Sequence, residues 1–252
     1  MEPQHSTGTR EEWLAASRAL LAEEKAHMRA GDELASKRRA LPWVKVDKTY
    51  EFDTPQGRKT LADLFDGRSQ LIVCHFMLGP DWEEGCVGCS FGADHMTGIM
   101  THLEHHDVSY LTVSRAPLAK IEAFKKRMEW TFPWVSSYGS DFNFDYHVSF
   151  TPEQLASKNA FYNFTDQDVG IDEQHGHSVF YKDERGDVYH TYSCFGRGDE
   201  QFITTYALLD VAPKGRNEKS NLTDWVRHHD RYDDRYDEPS RGGCAACGSA
   251  GA

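Results

Sequence analysis

The sequence predicts an α/β protein built on a mixed sheet, and three stretches carry that prediction. Leu71, Ile72, Val73, Cys74, Phe76, Met77 and Leu78 form a nearly continuous apolar run, which a strand buried on both faces of a sheet requires. A second run, VSYLTV at residues 108–113, is separated from the first by a helix-period stretch and followed by another at 117–128. Strand, helix, strand, helix is the pattern of parallel strands joined by right-handed crossovers. Residues 177–195 then alternate around the turn Asp183-Glu184-Arg185-Gly186, a hairpin signal that adds antiparallel strands.

The elements follow in order. Thr9 and Glu12 have capping-box spacing, and Trp13, Leu14, Leu20, Leu21 and Met28 recur at roughly helical spacing. Residues 1–40 are therefore a helical extension, ending near Gly31 or running on to Arg39. Its apolar stripe packs on the domain or on a second subunit, so a homo-oligomer is a further expectation. Trp43 to Val46 open a strand that Tyr50 to Phe52 continue to a turn at residues 53–57, before a short helical turn at 60–65. Gly79-Pro80 stops the central strand. Beyond it Phe91, Met96, Ile99, Met100 and Leu103 predict one long helix. Residues 130–150 are aromatic-rich and irregular, 151–172 form a polar insertion without clear period, and 198–209 supply the last core helix. Residues 41–230 thus make the main domain, with 225–230 still packing on it. Residues 231–252 make a flexible tail, charge-dense and then Gly/Ala-rich with no core face.

Composition excludes several classes. A net charge of −12, from 28 Lys+Arg against 40 Asp+Glu, gives no footprint for nucleic acid or for an anionic membrane surface. The longest apolar run falls far short of the roughly 20 residues that span a bilayer. The N-terminal residues lack a basic region followed by an apolar stretch, so a cytoplasmic location is expected. In a reducing compartment, six cysteines point to redox, metal-binding or buried roles rather than to a disulfide framework.

The chemistry centres on Cys86 and Cys89, a Cys-x-x-Cys pair at a strand-to-helix junction. The first helical turn presents unpaired N–H groups and the positive end of the peptide dipoles, both favouring thiolate. In such motifs a cysteine pKa falls from about 8.5 to between about 3.5 and 7.5. Cys86 is the expected attacker, and Cys89, one turn further on, resolves the mixed disulfide. Gly88 permits a tight turn between them. Trp82 and Glu83, just ahead of Cys86, are candidate supporting residues, although the charges of Glu83 and Glu84 oppose a thiolate. Cys74 and His75, inside the strand, read as core residues, and Cys194 as a buried thiol. Asp94 and His95 could tune the local charge.

The stretches RRALPWVKVDKTYEFDTPQG, FMLGPDWEEGCVGCSFGADH and HSVFYKDERGDVYHTYSCFGRG resemble a bacterial family of thioredoxin-like proteins, formerly a domain of unknown function, predicted to be dithiol-disulfide oxidoreductases. The similarity runs over residues 11–232. It implies a thioredoxin-like three-layer sandwich with a central mixed sheet. It also implies a disulfide-containing protein or small molecule as substrate, a thiol system for recycling, and no cofactor. The segment at residues 43–65 is similar to the N-terminal extension of peroxiredoxin-type members. Thioredoxin-like folds usually enter the closing hairpin through a cis-proline that faces the cysteines. Here Gly176-His177 stands in that place, making His177 a candidate acid-base group facing Cys86.

Three activities remain open. One is a thiol-disulfide oxidoreductase at Cys86 and Cys89. Another is a peroxiredoxin-like thiol peroxidase, against which Glu83 occupies the position of the Thr or Ser expected three residues before a peroxidatic cysteine. The last is a non-catalytic metal-binding or chaperone module. The tail pair Cys244 and Cys247 reads as a mobile dithiol shuttle or an inert tail. The 154 residues between Cys89 and Cys244 far exceed zinc-ribbon spacing of about 15–20. His102, His105 and His106 share a helical face without a further convergent ligand, so no metal site is expected.

Overall fold

The computed structural model describes residues 5–219 and 221–232. The pair Cys244 and Cys247, and the flexibility expected of the tail beyond residue 232, lie outside the described residues. The chain divides into two compact units, Met1–Trp43 and Val44–Ala252.

The first unit is one helix, α1 (Arg10–Arg39), of 30 residues. The expected capping box is formed: Thr9 N donates to the Glu12 carboxylate at 2.7 Å and Glu12 N donates to Thr9 Oγ1 at 3.2 Å. Glu11 and Glu12 in the first turn, with Lys37, Arg38 and Arg39 in the last, complement the helix dipole. The helix runs through Gly31 and stops before Pro42, where the pre-proline residue disfavours helical backbone. None of its residues is buried, and Trp13, Leu20 and Met28 are exposed.

The second unit is built on an eight-stranded mixed sheet. In chain order its strands are β1 (Val44–Lys45), β2 (Glu51–Thr54), β3 (Gly57–Thr60), β4 (Gln70–His75), β5 (Val108–Ser114), β6 (Trp134–Ser136), β9 (Gly176–Lys182) and β10 (Val188–Phe195). They lie in the order β1-β10-β9-β4-β5-β6-β2-β3. β7 (Ala160–Tyr162) and β8 (Thr165–Gln167) form a separate hairpin. The crossovers carry α2 (Val87–Ala93), α3 (Met100–His105) and α4 (Leu118–Arg127), and α5 (Phe142–Asp145), α6 (Pro152–Ser157) and α7 (Thr204–Asp210) follow.

β4, β5 and β6 are parallel, as the apolar runs predict, and β9 and β10 pair antiparallel on the other side of β4. This is the thioredoxin-like arrangement expected: a parallel crossover carrying the cysteines, then an antiparallel hairpin and a closing helix. β4 alternates because each face meets a different core. Leu71 and Val73 join Phe52, Leu111, Phe142 and Phe180 on one face. Ile72 and Cys74 turn to the other, with Tyr110, Ile121, Phe124 and Trp134 under α2, α3 and α4.

Several local expectations are corrected. The segment read as one strand from Trp43 to Phe52 is two strands in opposite halves of the sheet, β1 at one edge and β2 inside the other edge strand, β3. The long helix after Cys89 is α2 and α3, interrupted over residues 94–99. Residues 130–150 contain β6, and residues 151–172 contain α6, started by a Thr151–Gln154 capping box, and the β7–β8 hairpin. Among the described residues no helix is long and apolar enough to cross a membrane.

Candidate functional site: a dithiol at the head of α2

The loop after β4 folds back so that Cys86 N donates to the Met77 carbonyl at 3.0 Å. Gly85 makes that return possible. A Cβ there would lie 2.6 Å from a Phe76 ring carbon and 2.7 Å from one of Phe124. Cys86 is the N-cap of α2, and its carbonyl accepts from Ser90 N at 2.9 Å and Ser90 Oγ at 2.8 Å. Cys89 follows inside the first turn. Gly88 lies within α2 and has no positive φ, so it provides helix rather than the expected turn. The four described cysteines, Cys74, Cys86, Cys89 and Cys194, are thiols. Cys86 is 5% exposed and Cys89 half-buried.

The electrostatics divide labour between the pair. Hydrogen bonding to Cys86, then burial, then the charge on Cys86 push the Cys89 thiol well above its ordinary range. Cys89 is thus the member of the pair that keeps its proton. Burial pushes His175 down, but the charge and hydrogen bonding of Asp199, with the charge of Cys86, outweigh it and raise His175 to about 9.

The acidic residues before Cys86 are handled separately. Glu84 is paired to Arg127 at 2.9 Å and Arg231 at 2.8 Å. Burial opposes its ionisation, but these partners hold its carboxyl below the usual range. Glu83 is exposed. The Trp82 ring packs in the Met77–Cys86 cluster and its indole N–H donates to Asp172 at 3.1 Å. The C-terminal segment buttresses the loop from the other side. His228, 2% exposed, donates from Nε2 to the Gly85 carbonyl at 2.9 Å and accepts from Arg127 at Nδ1 at 3.2 Å.

His177 stands elsewhere than expected. It is the register partner of Cys74 on β4 and of Cys194 on β10, so the imidazole lies between two thiols on one sheet face. Its Nδ1 is 3.7 Å from Asp199 Oδ2, an ion-pair distance longer than a hydrogen bond, and His175 Nε2 is 3.5 Å from the same oxygen. Burial lowers the His177 pKa, but Cys74 and Asp199 outweigh it and raise it to about 10. Cys74, His175, His177, Asp199 and Cys89 line one narrow cleft, with about 80 Å³ of room.

Sequence reasoning missed His175, Asp199 and the cleft face of Cys74. The β4–β9 register that sets Cys74 opposite His177 is absent from any local pattern, as is the return of the chain that brings Asp199 to the two histidines. Asp94 accepts from Trp130 at 2.7 Å, and His95 bridges Phe91 and Thr205, so both fix packing rather than thiol charge. His75 is core, as expected, hydrogen-bonded to Ser178 at 2.8 Å. Burial first, then the charges of His177 and His190, lower its pKa to about 3. Among the described residues no three His, Cys, Asp or Glu side chains are grouped to hold a metal ion. Gly176-His177 is joined without a cis peptide bond.

Comparison with curated proteins found no match. Among solved structures, the chain is similar to a cysteine-to-serine variant of peroxiredoxin Q from Xanthomonas campestris, with 12% identity and a TM-score of 0.39. That match covers 64% of this chain and 89% of the other. It is also similar to the mitochondrial 2-cys peroxiredoxin of Plasmodium falciparum, with 14% identity, a TM-score of 0.41, and 67% and 94% coverage. The model of one family, described as "Bacterial protein of unknown function (DUF899)", matches residues 2–232, and the chain belongs to that family.

Proposed function

We propose that the protein is a thiol-disulfide oxidoreductase acting through Cys86 and Cys89. The observation that carries this reading is the hydrogen bonding of Cys89 to Cys86 at the head of α2, which with burial raises the Cys89 thiol above its ordinary range. The Cys86 thiolate attacks a substrate disulfide, forming one S–S bond and breaking another, and the leaving sulfur takes a proton. Cys89 then gives up its proton and attacks the Cys86 sulfur, releasing the reduced product and leaving a Cys86–Cys89 disulfide. A disulfide-bearing protein or small molecule is the substrate class, an external thiol system restores the pair, and a reducing cytoplasm is the matching compartment. Trp82 and the Glu84–Arg127–His228 set hold the loop that carries Cys86.

Insulin reduction with a low-molecular-weight thiol as electron source tests the reading. Wild-type protein accelerates it, Cys86→Ser abolishes the acceleration, and Cys89→Ser accumulates a mixed disulfide at Cys86. Unchanged activity in Cys86→Ser overturns it. Peroxide consumption at Cys86 without exchange would favour the peroxidase alternative, and a stoichiometric metal lost in Cys86→Ser the metal-binding one.

A further inference from the structure

We propose that Cys74 is a second nucleophile: a thiol on the floor of the cleft, faced by the His177 imidazole and backed by Asp199, that reduces a small hydroperoxide.

The placement comes from the sheet. Cys74 and His177 are directly opposed across the antiparallel β4–β9 pair, where opposed Cβ atoms are about 5 Å apart on the same face. Cys194 opposes His177 from β10 but is 5% exposed and absent from the cleft lining, whereas Cys74 lines it and is half-buried. Phe202 lies over His177 with ring centroids 4.6 Å apart. Asp199 ties the two histidines together: its Oδ2 lies 3.5 Å from His175 Nε2 and 3.7 Å from His177 Nδ1. That carboxylate and, for His177, the neighbouring Cys74 outweigh burial and raise both imidazoles above neutral pH.

The ligand class follows from size and from one unsatisfied atom. About 80 Å³ of room suits hydrogen peroxide or a short alkyl hydroperoxide. Gln174 is 3% exposed and lines the cleft. Its Nε2 donates to the Val169 carbonyl at 2.9 Å, while its buried Oε1 has no protein partner. A buried acceptor without a donor is costly, and the O–H of a hydroperoxide is a donor that fits it.

In the reaction the Cys74 thiolate attacks one peroxide oxygen. An S–O bond forms, the O–O bond breaks, and the leaving alkoxide, or hydroxide from hydrogen peroxide, takes the His177 proton. Sulfur is oxidised by two electrons to a sulfenic acid and the peroxide is reduced to an alcohol or water. The thiol of Cys89, on the same cleft, condenses with the sulfenic acid to release water and leave a Cys74–Cys89 disulfide. Only this condensation draws on the exchange site.

The test treats reduced full-length protein with hydrogen peroxide in the presence of dimedone and maps the adducts by peptide mass spectrometry. In Cys89→Ser protein the dimedone adduct forms chiefly at Cys74, and adding His177→Gln slows it by about 10²-fold, the usual contribution of a positioned proton donor. In wild-type protein a Cys74–Cys89 disulfide peptide takes its place. Cys194 monitors the fold in the same digest. The proposal is overturned if Cys74 stays unmodified, if His177→Gln reacts at the parent rate, or if Cys194 is oxidised as fast as Cys74, which would report opening of the sheet. Cys86–Cys89 disulfide formation, scored in the wild-type digest, separates failure here from failure of the exchange reading.

Discussion

At Asp199 a single carboxylate serves two imidazoles, and the consequence is a pH-dependent stability. His175 and His177 have pKa values near 6.5 when unfolded and about 9 and about 10 in the fold. A raised pKa contributes stability that is full below about 6.5 and is lost as pH rises through the folded values. Asp199→Asn removes the counter-charge, so its deficit against wild type is largest near pH 6 and shrinks toward pH 10 in urea-unfolding midpoints. A deficit constant across that range would contradict the assignment. Gly85 makes a second prediction at this scale. Alanine there meets the rings of Phe76 and Phe124, and overpacking of that kind costs about 1–3 kcal/mol. Equilibrium unfolding by urea measures it, and an unchanged midpoint would mean the rings move aside freely. The two site cysteines were legible because their motif is local: a spacing of three after an apolar run suffices. His177 was legible as unusual but not in its partner. Which residue it faces depends on strand register, and a slip of one residue would send it to the opposite face.

At the scale of elements, the segment before Tyr232 has a larger part than its sequence suggests. It buries Val226 and His228 and brings Asp230 to Arg127 at 2.8 Å, locking the loop ahead of Cys86. His228→Ala leaves the Gly85 carbonyl without its buried donor, which costs about 1–3 kcal/mol. Alkylation of Cys86 should also quicken, with Cys194 as the unaffected reference. No change in Cys86 alkylation would show that the segment does not guard the thiol. The long periodic elements β4, β5, α4 and the β9–β10 hairpin were readable because burial on a sheet or helix face imposes a period. β6 was not, since Trp134–Ser136 is three residues, too short for any period to show. Trp43 to Phe52 misled for another reason. Alternation records one buried face and says nothing of which sheet edge a strand joins.

On the scale of the whole molecule, the sheet separates two chemistries. One face carries a buried chain from His75 through Ser178 and Ser193 to His190, with contacts of 2.8, 2.9 and 2.8 Å. The other carries Cys74, His177 and the cleft beneath α2. Cys74 and Cys89 line that cleft and Cys86 is the N-cap of α2, although the net charge of the chain is −12. Local groups rather than overall charge decide how a buried thiol ionises. The most direct test is the midpoint potential of the Cys86–Cys89 pair, read by alkylation and mass spectrometry across thiol/disulfide buffers with Cys86→Ser as control. A reversible intramolecular disulfide with a potential between about −270 and −120 mV is the expected result. A pair that stays reduced throughout, or a wild-type protein no more responsive than Cys86→Ser, would contradict the exchange mechanism.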